Sequence, residues 1–223
     1  MDISALITKA IAASPPDEPR RYIGASSIGR KCLRSIWYGF TGAEGEPYPP
    51  RTKTTFDIGK RLEGLMLDYM EKAGLVIVRP SPENNFLLFK DKEIPIFKGH
   101  TDALLVQKDE PLSVVEIKTA KSSSFAQFKS RGLKLWQETY YAQLQSYMGM
   151  SGYRRGLLLA VNKDASDLHH EWVDYDDIYY HELRAKAAVI SRCSEPPERI
   201  NKSPLFIVCS MCNYKRVCHA NRD

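Results

Sequence analysis

A chain of 223 residues, 43% hydrophobic and 26% charged, has the composition of a folded globular protein and a length that suits one domain with attachments. Its net charge of +5 and pI near 8.9 suit a protein that meets a polyanion, although each short basic cluster, such as Lys60-Arg61 or Lys129-Arg131-Lys134, reads equally well as a solvated face. No apolar run approaches the roughly eighteen residues that cross a bilayer, and the opening MDISALITKAIAASPPDEP lacks the basic start and apolar stretch of a signal peptide, so a cytoplasmic, reducing setting is expected for the five cysteines.

Ile3, Leu6, Ile7, Ala10 and Ile11 predict a short amphipathic helix closed by Pro15-Pro16. The Gly- and Pro-rich stretch GAEGEPYPPR (42–51) marks the end of an N-terminal helical segment (1–50). A body (51–193) and a cysteine-rich tail (194–223) follow, and the three parts are expected to form one domain over 1–223. Residues 54–74 read as a helix, with Phe56, Gly59, Leu62, Met66, Tyr69 and Met70 at helical spacing. Strand-type runs come next at 75–78, 85–89, 95–106 and 112–118, the last two joined by a turn at 108–111. A helix at about 133–148, strands at 156–161 and 170–174 and a long helix at 178–193 complete the body. This order predicts an α/β fold with a mixed central sheet flanked by helices.

The chemistry-bearing residues lie in GHTDALL (99–105) and VVEIKTA (114–120). Alternate residues of a strand share a face, so Glu116 and Lys118 point one way, while Val115, Ile117 and Thr119 point the other. On the preceding strand Asp102 shares a face with His100 and Leu104, and the hairpin lets Asp102, Glu116 and Lys118 converge. Carboxylates on an apolar face are costly to bury unless they are paired or bound to a cation. Two hard oxygen ligands suit Mg²⁺ or Mn²⁺, which also take phosphate oxygens, and the adjacent lysine can orient or deprotonate an attacking water. The plainer alternative is a surface Asp beside a solvated Glu/Lys pair. The apolar flanks of every member and the short hairpin argue against it.

Glu63 shares the helix face of Phe56, Gly59, Met66 and Met70, where an acid needs either a metal or a route to water at the edge of the stripe. Gly59 is expected to give that face room for close approach. Gln143 and Tyr147, four apart and aligned with Trp136 and Tyr140, suit a phosphate contact and a substrate contact, although aromatics of an ordinary core helix have the same spacing.

Taken in order, Gly59-x-x-x-Glu63, Gly99-x-x-Asp102, Glu116-x-Lys118 and Gln143-x-x-x-Tyr147 resemble the motif series of RecB-like PD-(D/E)XK nucleases, over about residues 22–218. The resemblance is strongest to the iron–sulfur exonucleases associated with CRISPR adaptation and to phage and AddB-type nucleases; many relatives carry His where this chain has Glu63. It implies a restriction-endonuclease-like core and divalent-metal hydrolysis of DNA phosphodiesters, as an exonuclease acting on single strands or DNA ends in repair, recombination or phage DNA processing. Glu63, Asp102, Glu116 and Lys118 are then the catalytic set, the three acids hold Mg²⁺ or Mn²⁺, and Gln143 and Tyr147 support the site or touch DNA. A spacer-processing nuclease and a non-catalytic DNA-binding protein with a structural metal are the alternatives, the latter opposed by the intact Asp102/Glu116/Lys118 set. The chain has no GxxxxGK[ST] motif, so a helicase, recombinase or CRISPR adaptation partner would supply any unwinding.

Cys209, Cys212 and Cys218 form a compact chelating set that needs a fourth ligand, from Cys32 or Cys193. Cys193, near the end of a predicted helix, reads as an ordinary half-buried thiol. The segment GASSIGRKCLRSIWYGF around Cys32 resembles the N-terminal cysteine segment of the iron–sulfur nucleases, which selects Cys32. Spacing alone accepts either zinc or a cubane; the resemblance implies a [4Fe–4S] cluster that ties residue 32 to the tail.

Overall fold

The computed structural model describes residues 1–15 and 20–220. Helix α1 (Ile3–Ala13), the two-residue strand β1 (Ile23–Gly24) and helices α2 (Ala25–Ile28) and α3 (Leu33–Thr41) come first. Helix α4 (Pro50–Lys72) starts on a proline, whose missing N–H is harmless in a first turn. It leads to β2 (Val76–Val78), a 3₁₀ turn (Pro82–Leu87), β3 (Leu88–Lys90), β4 (Phe97–His100), β5 (Ala103–Val106) and β6 (Ser113–Ala120). Helices α5 (Ser122–Trp136) and α6 (Glu138–Ser151) cross over to β7 (Arg155–Asn162) and β8 (Leu168–Asp174); α7 (Asp177–Arg192) and the short α8 (Ile207–Ser210) and α9 (Lys215–His219) follow. No helix among the described residues is long and apolar enough to cross a membrane.

Five strands form a mixed sheet in the order β2-β5-β6-β7-β8, with β6 and β7 parallel and the other neighbours antiparallel. A second sheet, β1-β4-β3, lies beside it. The near-continuous apolar run of β6 and β7 suits strands covered on both faces. Val115 and Ile117 pack with Met66, Leu67 and Met70 of α4 on one side. Val114 and Ala120 pack with Phe125 and Phe128 of α5 and Leu144, Tyr147 and Met148 of α6 on the other. Each such side chain contributes roughly 1.5–3 kcal/mol on burial. A third cluster joins β1, β4, α3 and α7 through Ile23, Phe97, Ile36, Tyr180 and Ile190.

Four expectations from the sequence change. The strand foreseen over 95–106 breaks at Thr101-Asp102, placing β4 and β5 in different sheets; the Thr101 hydroxyl donates to the Val115 carbonyl at 2.7 Å across the break. The helix foreseen over 133–148 is divided at Gln137, whose φ of −148° and ψ of 88° are non-helical, so 133–136 close α5 and α6 begins at Glu138. Helix α5 is itself kinked at Gly132, with a positive φ of 72°, where the Leu133 amide donates to Glu171 Oε2 at 2.8 Å. Residues 85–87, foreseen as strand, form a left-handed turn. Phe56 leaves the predicted apolar stripe and is 54% exposed, edge-on to Tyr48. Helix α1 ends at Ala13, and Pro16 of its foreseen stop lies outside the described residues.

Candidate active site

Pairing of Ala103 with Val115 fixes the register of β5 on β6, and the Asp102 amide extends it by donating to the Val115 carbonyl at 3.1 Å. Asp102 therefore sits where the ladder ends, and its Oδ2 accepts the Ile117 amide at 2.7 Å. The break at 101–102 separates Asp102 from His100, so the two do not share a strand face as foreseen, yet Asp102 still meets the β6 residues.

Glu116, mid-strand, is 1% exposed. Its Oε1 accepts from Lys118 Nζ and, at 2.8 Å, from Gln143 Nε2. Gln143 Nε2 also donates to the Tyr147 hydroxyl at 2.7 Å. Lys118 Nζ lies 5.0 Å above the Tyr140 ring centroid. Gln143 and Tyr147 are buried (5% and 2% exposed); Gln143 holds Glu116 and is itself tied to Tyr147, an arrangement that corresponds to site support, of the two roles expected for them. Trp136, stacked on Phe128 at 4.7 Å, is likewise core. Tyr140, four residues from Trp136 and far in sequence from Lys118, gave no sequence signal for its place over the lysine.

Burial, then the Asp102 charge, pushes the Glu116 carboxyl up to about 8. Burial, with repulsion from Asp102, raises Glu63 on α4 to about 7, against the lowering influence of Lys118 and Lys60. Burial also raises Asp102. For Lys118 burial acts downward, but the charges of Glu116 and Asp102 outweigh it and hold the ammonium above the usual lysine range. Three carboxyl groups thus share one field with the Lys118 ammonium, Lys60 acting on Glu63 as well, and acids outnumber cations at the site.

Glu116 Oε2 is buried without a hydrogen-bond partner. Leaving such an atom unpaired costs roughly 1–3 kcal/mol or more. Among the described residues no three His, Cys, Asp or Glu side chains are already arranged to hold a metal ion. The donor set still fits a hard divalent cation: an orphaned carboxylate oxygen, two further acids in the same field and a charge deficit that the ion would fill.

Gly99 is required by packing. A Cβ there would stand 2.6 Å from Ala25 Cβ and 2.9 Å from Tyr147 Cε1, so glycine lets α2 and Tyr147 close under the site. At Gly59 a Cβ would meet Thr119 Oγ1 at an ordinary 3.6 Å, so the foreseen need for space there does not hold.

Cys32 occupies the N-cap position of α3, Cys209 lies in α8, Cys212 just beyond it, and Cys218 in α9. All four line one cavity of about 490 Å³. Arg30, Lys31, Arg34, Arg199 and Lys215 also line it, and no Asp or Glu does. Burial and the other three thiols raise Cys209; burial, Cys32 and Cys218 raise Cys212, opposed by the Tyr214 amide and Arg30. Cys193 is outside this cavity, with its thiol 3.2 Å from the Val189 carbonyl and its own carbonyl accepting Trp37 Nε1–H at 2.9 Å.

The YqaJ-like viral recombinase domain matches residues 20–154, more than half of the chain. No curated protein matches. Among solved structures, an alkaline exonuclease, LHK-Exo from Laribacter hongkongensis, aligns with a TM-score of 0.58 at 15% identity, covering 82% of this chain and 91% of that one. LHK-Exo in complex with dAMP aligns equally well, at TM-score 0.58 and 15% identity over 78% and 87% of the two chains. SSO0001 aligns with a TM-score of 0.56 at 17% identity over 99% of this chain and 97% of its own. At these identities the shared property is the fold.

Proposed function

Because this chain belongs to the YqaJ-like viral recombinase domain family, we propose that it is a divalent-metal-dependent DNA exonuclease acting on single strands or duplex ends in recombination or phage DNA processing. The observation that carries this reading is the buried, unpartnered Oε2 of Glu116, set in the field of two further carboxyl groups, Asp102 and Glu63, and of Lys118. A binding module has no use for a buried carboxylate that leaves one oxygen unpaired, whereas a hydrolase that needs a cation does. The alkaline exonuclease activity named for LHK-Exo, which shares the fold, agrees with it.

Asp102 and Glu116, with Glu63 beside them, would hold Mg²⁺ or Mn²⁺. Such an ion supplies positive charge to a phosphodiester oxygen and acidifies a water. Lys118, kept charged by Glu116 and Asp102, acts as a cation that orients the attacking water or a phosphate oxygen, and its raised pKa makes it a poor proton acceptor. Gln143, itself held by Tyr147, fixes Glu116 Oε1. Glu63, titrating near neutrality, can take up a proton as the site fills and empties.

The four-cysteine cavity is read as the seat of a [4Fe–4S] cluster that ties α3 to the tail. Four soft thiol donors in a basic, acid-free lining support that reading.

The decisive experiment incubates purified protein with 5′- and 3′-labelled single- and double-stranded DNA, with Mg²⁺, with Mn²⁺ and with EDTA. Stepwise shortening from an end in metal, abolished by EDTA, is the expected result. Cleavage that persists in the chelator overturns the metal role, and intact DNA under every metal condition overturns the nuclease.

A further inference from the structure

Residues Asn85, Phe86 and Leu87 hold φ values of 52°, 53° and 52°, three successive non-glycine residues in the left-handed region. L-residues avoid that region, and each needs its surroundings to offset the strain. The offset is visible at both ends of the turn. Leu87 is buried among Ala25, Leu104 and Tyr147, and the Phe86 amide donates to the Ser81 carbonyl at 2.7 Å. His100 Nδ1 lies 2.9 Å from the Phe86 carbonyl, and the Thr101 amide donates to the Leu87 carbonyl at 3.4 Å. Between these anchors the Phe86 ring is 51% exposed. An exposed phenylalanine gains little from burial, and glycine at this position would relieve the strain without loss of packing.

The turn feeds the β3–β4 hairpin, whose register pairs Leu88 with His100 and Lys90 with Lys98. Alternation puts Phe89, Phe97 and Gly99 toward the interior and Lys90, Lys98 and His100 on the outer face. Two lysines directly opposite each other repel, and a bridging anion relieves them. Lys98 Nζ also rests 4.7 Å above the Tyr22 ring. The strand that carries this face ends at His100, two residues and at most about 7 Å along the chain before Asp102, where the chain passes to the other sheet.

We propose that the outer face of the β3–β4 hairpin carries the DNA strand into the Asp102–Glu116 site, with one nucleobase stacked on Phe86 and neighbouring phosphates on Lys90 and Lys98. The inference rests on the nuclease reading and adds the place and the chemical group by which the strand is held. An aromatic face stacks any base, and flanking cations track the backbone, so the recognition is of single-stranded nucleotides without a preferred sequence.

The test is equilibrium binding in EDTA, which needs no turnover. Single-stranded oligonucleotides carry 2-aminopurine, or an abasic residue, at successive positions from the end. Wild-type protein is expected to quench 2-aminopurine at one position, and an abasic residue there is expected to weaken binding roughly tenfold. Phe86→Ala should lose the quenching and bind intact DNA roughly tenfold more weakly, with no further loss on the abasic strand, while Phe86→Trp keeps both signals. Lys90→Ala should lower the slope of log affinity against log salt by about 0.7. Phe86→Gly should raise Tm, where a phenylalanine serving only packing would lower it. Losses from Phe86→Ala and the abasic residue that simply add, or quenching unchanged in Phe86→Ala, overturn the stacking; an unchanged salt slope overturns the phosphate track. End-labelled cleavage by the wild type in Mg²⁺ separates the two readings. Cleavage without position-specific stacking sinks this inference alone, stacking without cleavage sinks the nuclease alone, and an absence of DNA binding sinks both.

Discussion

The carboxylate site and the cysteine cavity are built from different materials. Glu116 and Lys118 stand on β6, in the middle of a five-stranded sheet covered on both faces, and Asp102 sits just before β5 beside it, with backbone and side-chain hydrogen bonds fixing the Asp102 and Glu116 carboxylates. Cys209, Cys212 and Cys218 stand on two helices of four and five residues and the link between them, and Cys209 is the one buried residue of those helices. Helices this short lack the hydrogen bonds to persist alone. The carboxylate site is therefore preformed by the fold, at the expense of an unsatisfied Glu116 oxygen, while on the proposed reading the cysteine cavity would depend on what its thiols bind. Loss of metal should leave the sheet site standing and loosen the tail.

The largest test of the preformed side is Asp102→Ala, Glu116→Ala or Lys118→Ala, each expected to lower DNA cleavage by roughly 10³-fold or more with the far-UV circular dichroism spectrum unchanged. Near-normal turnover by Lys118→Ala would remove the lysine from the chemistry. On the ligand-dependent side, Cys32→Ser should empty the cavity of metal and speed proteolysis near residues 20–40 and after 200, read by metal analysis and mass spectrometry of the fragments. Anaerobically purified wild type should be brown, with about four irons per chain. One zinc and no iron would keep the ligand set and discard the cluster.

A smaller effect comes from Glu63→Gln, expected to weaken Mg²⁺ or Mn²⁺ binding roughly tenfold in calorimetry, with Glu63→His partly restoring it. Unchanged affinity would leave Glu63 as a helix-edge acid. Smaller again is a pH effect. Glu116 and Glu63 ionise at about 8 and about 7 in the folded chain, against an ordinary value of 4.5. The folded state therefore binds more protons than the unfolded one between those limits, and the Tm of metal-free protein should fall as pH rises from about 5 to 8. Glu116→Gln should remove most of that slope and saturating Mg²⁺ should flatten it; a Tm that climbs across the window would contradict the burial of the acids. Least of all, Cys193→Ser should change metal content not at all and stability by less than about 0.5 kcal/mol.

Much of the site could be read along the chain because its members lie on short-range periodic structure. Glu116 and Lys118 share a strand face by alternation alone, and Gln143 and Tyr147 share a helix face four residues apart. Cys209, Cys212 and Cys218 were grouped by spacing, and the structure sets Cys32 beside them and Cys193 apart. The misreadings have local causes that only distant partners supply. A run such as 95–106 looks like one strand until Thr101 finds the Val115 carbonyl, and the helical pattern around residue 132 hides a kink where Glu171, on β8, claims the amide after Gly132.

Composition and periodicity by themselves determined a mixed α/β chain, the Glu116/Lys118 pair and the Cys209/Cys212/Cys218 group, because those depend on alternation and spacing within a few residues; Asp102 was joined to them through the hairpin and Cys32 through the family resemblance. Tertiary structure decided the rest. It turned Gln143 and Tyr147 inward to hold Glu116, laid Tyr140 over Lys118, made Gly99 a close-approach residue where Gly59 is not, and left Phe86 exposed on a strained turn against His100. Each of these is set by what packs against a residue from far along the chain, and neither propensity nor spacing encodes which neighbour that will be.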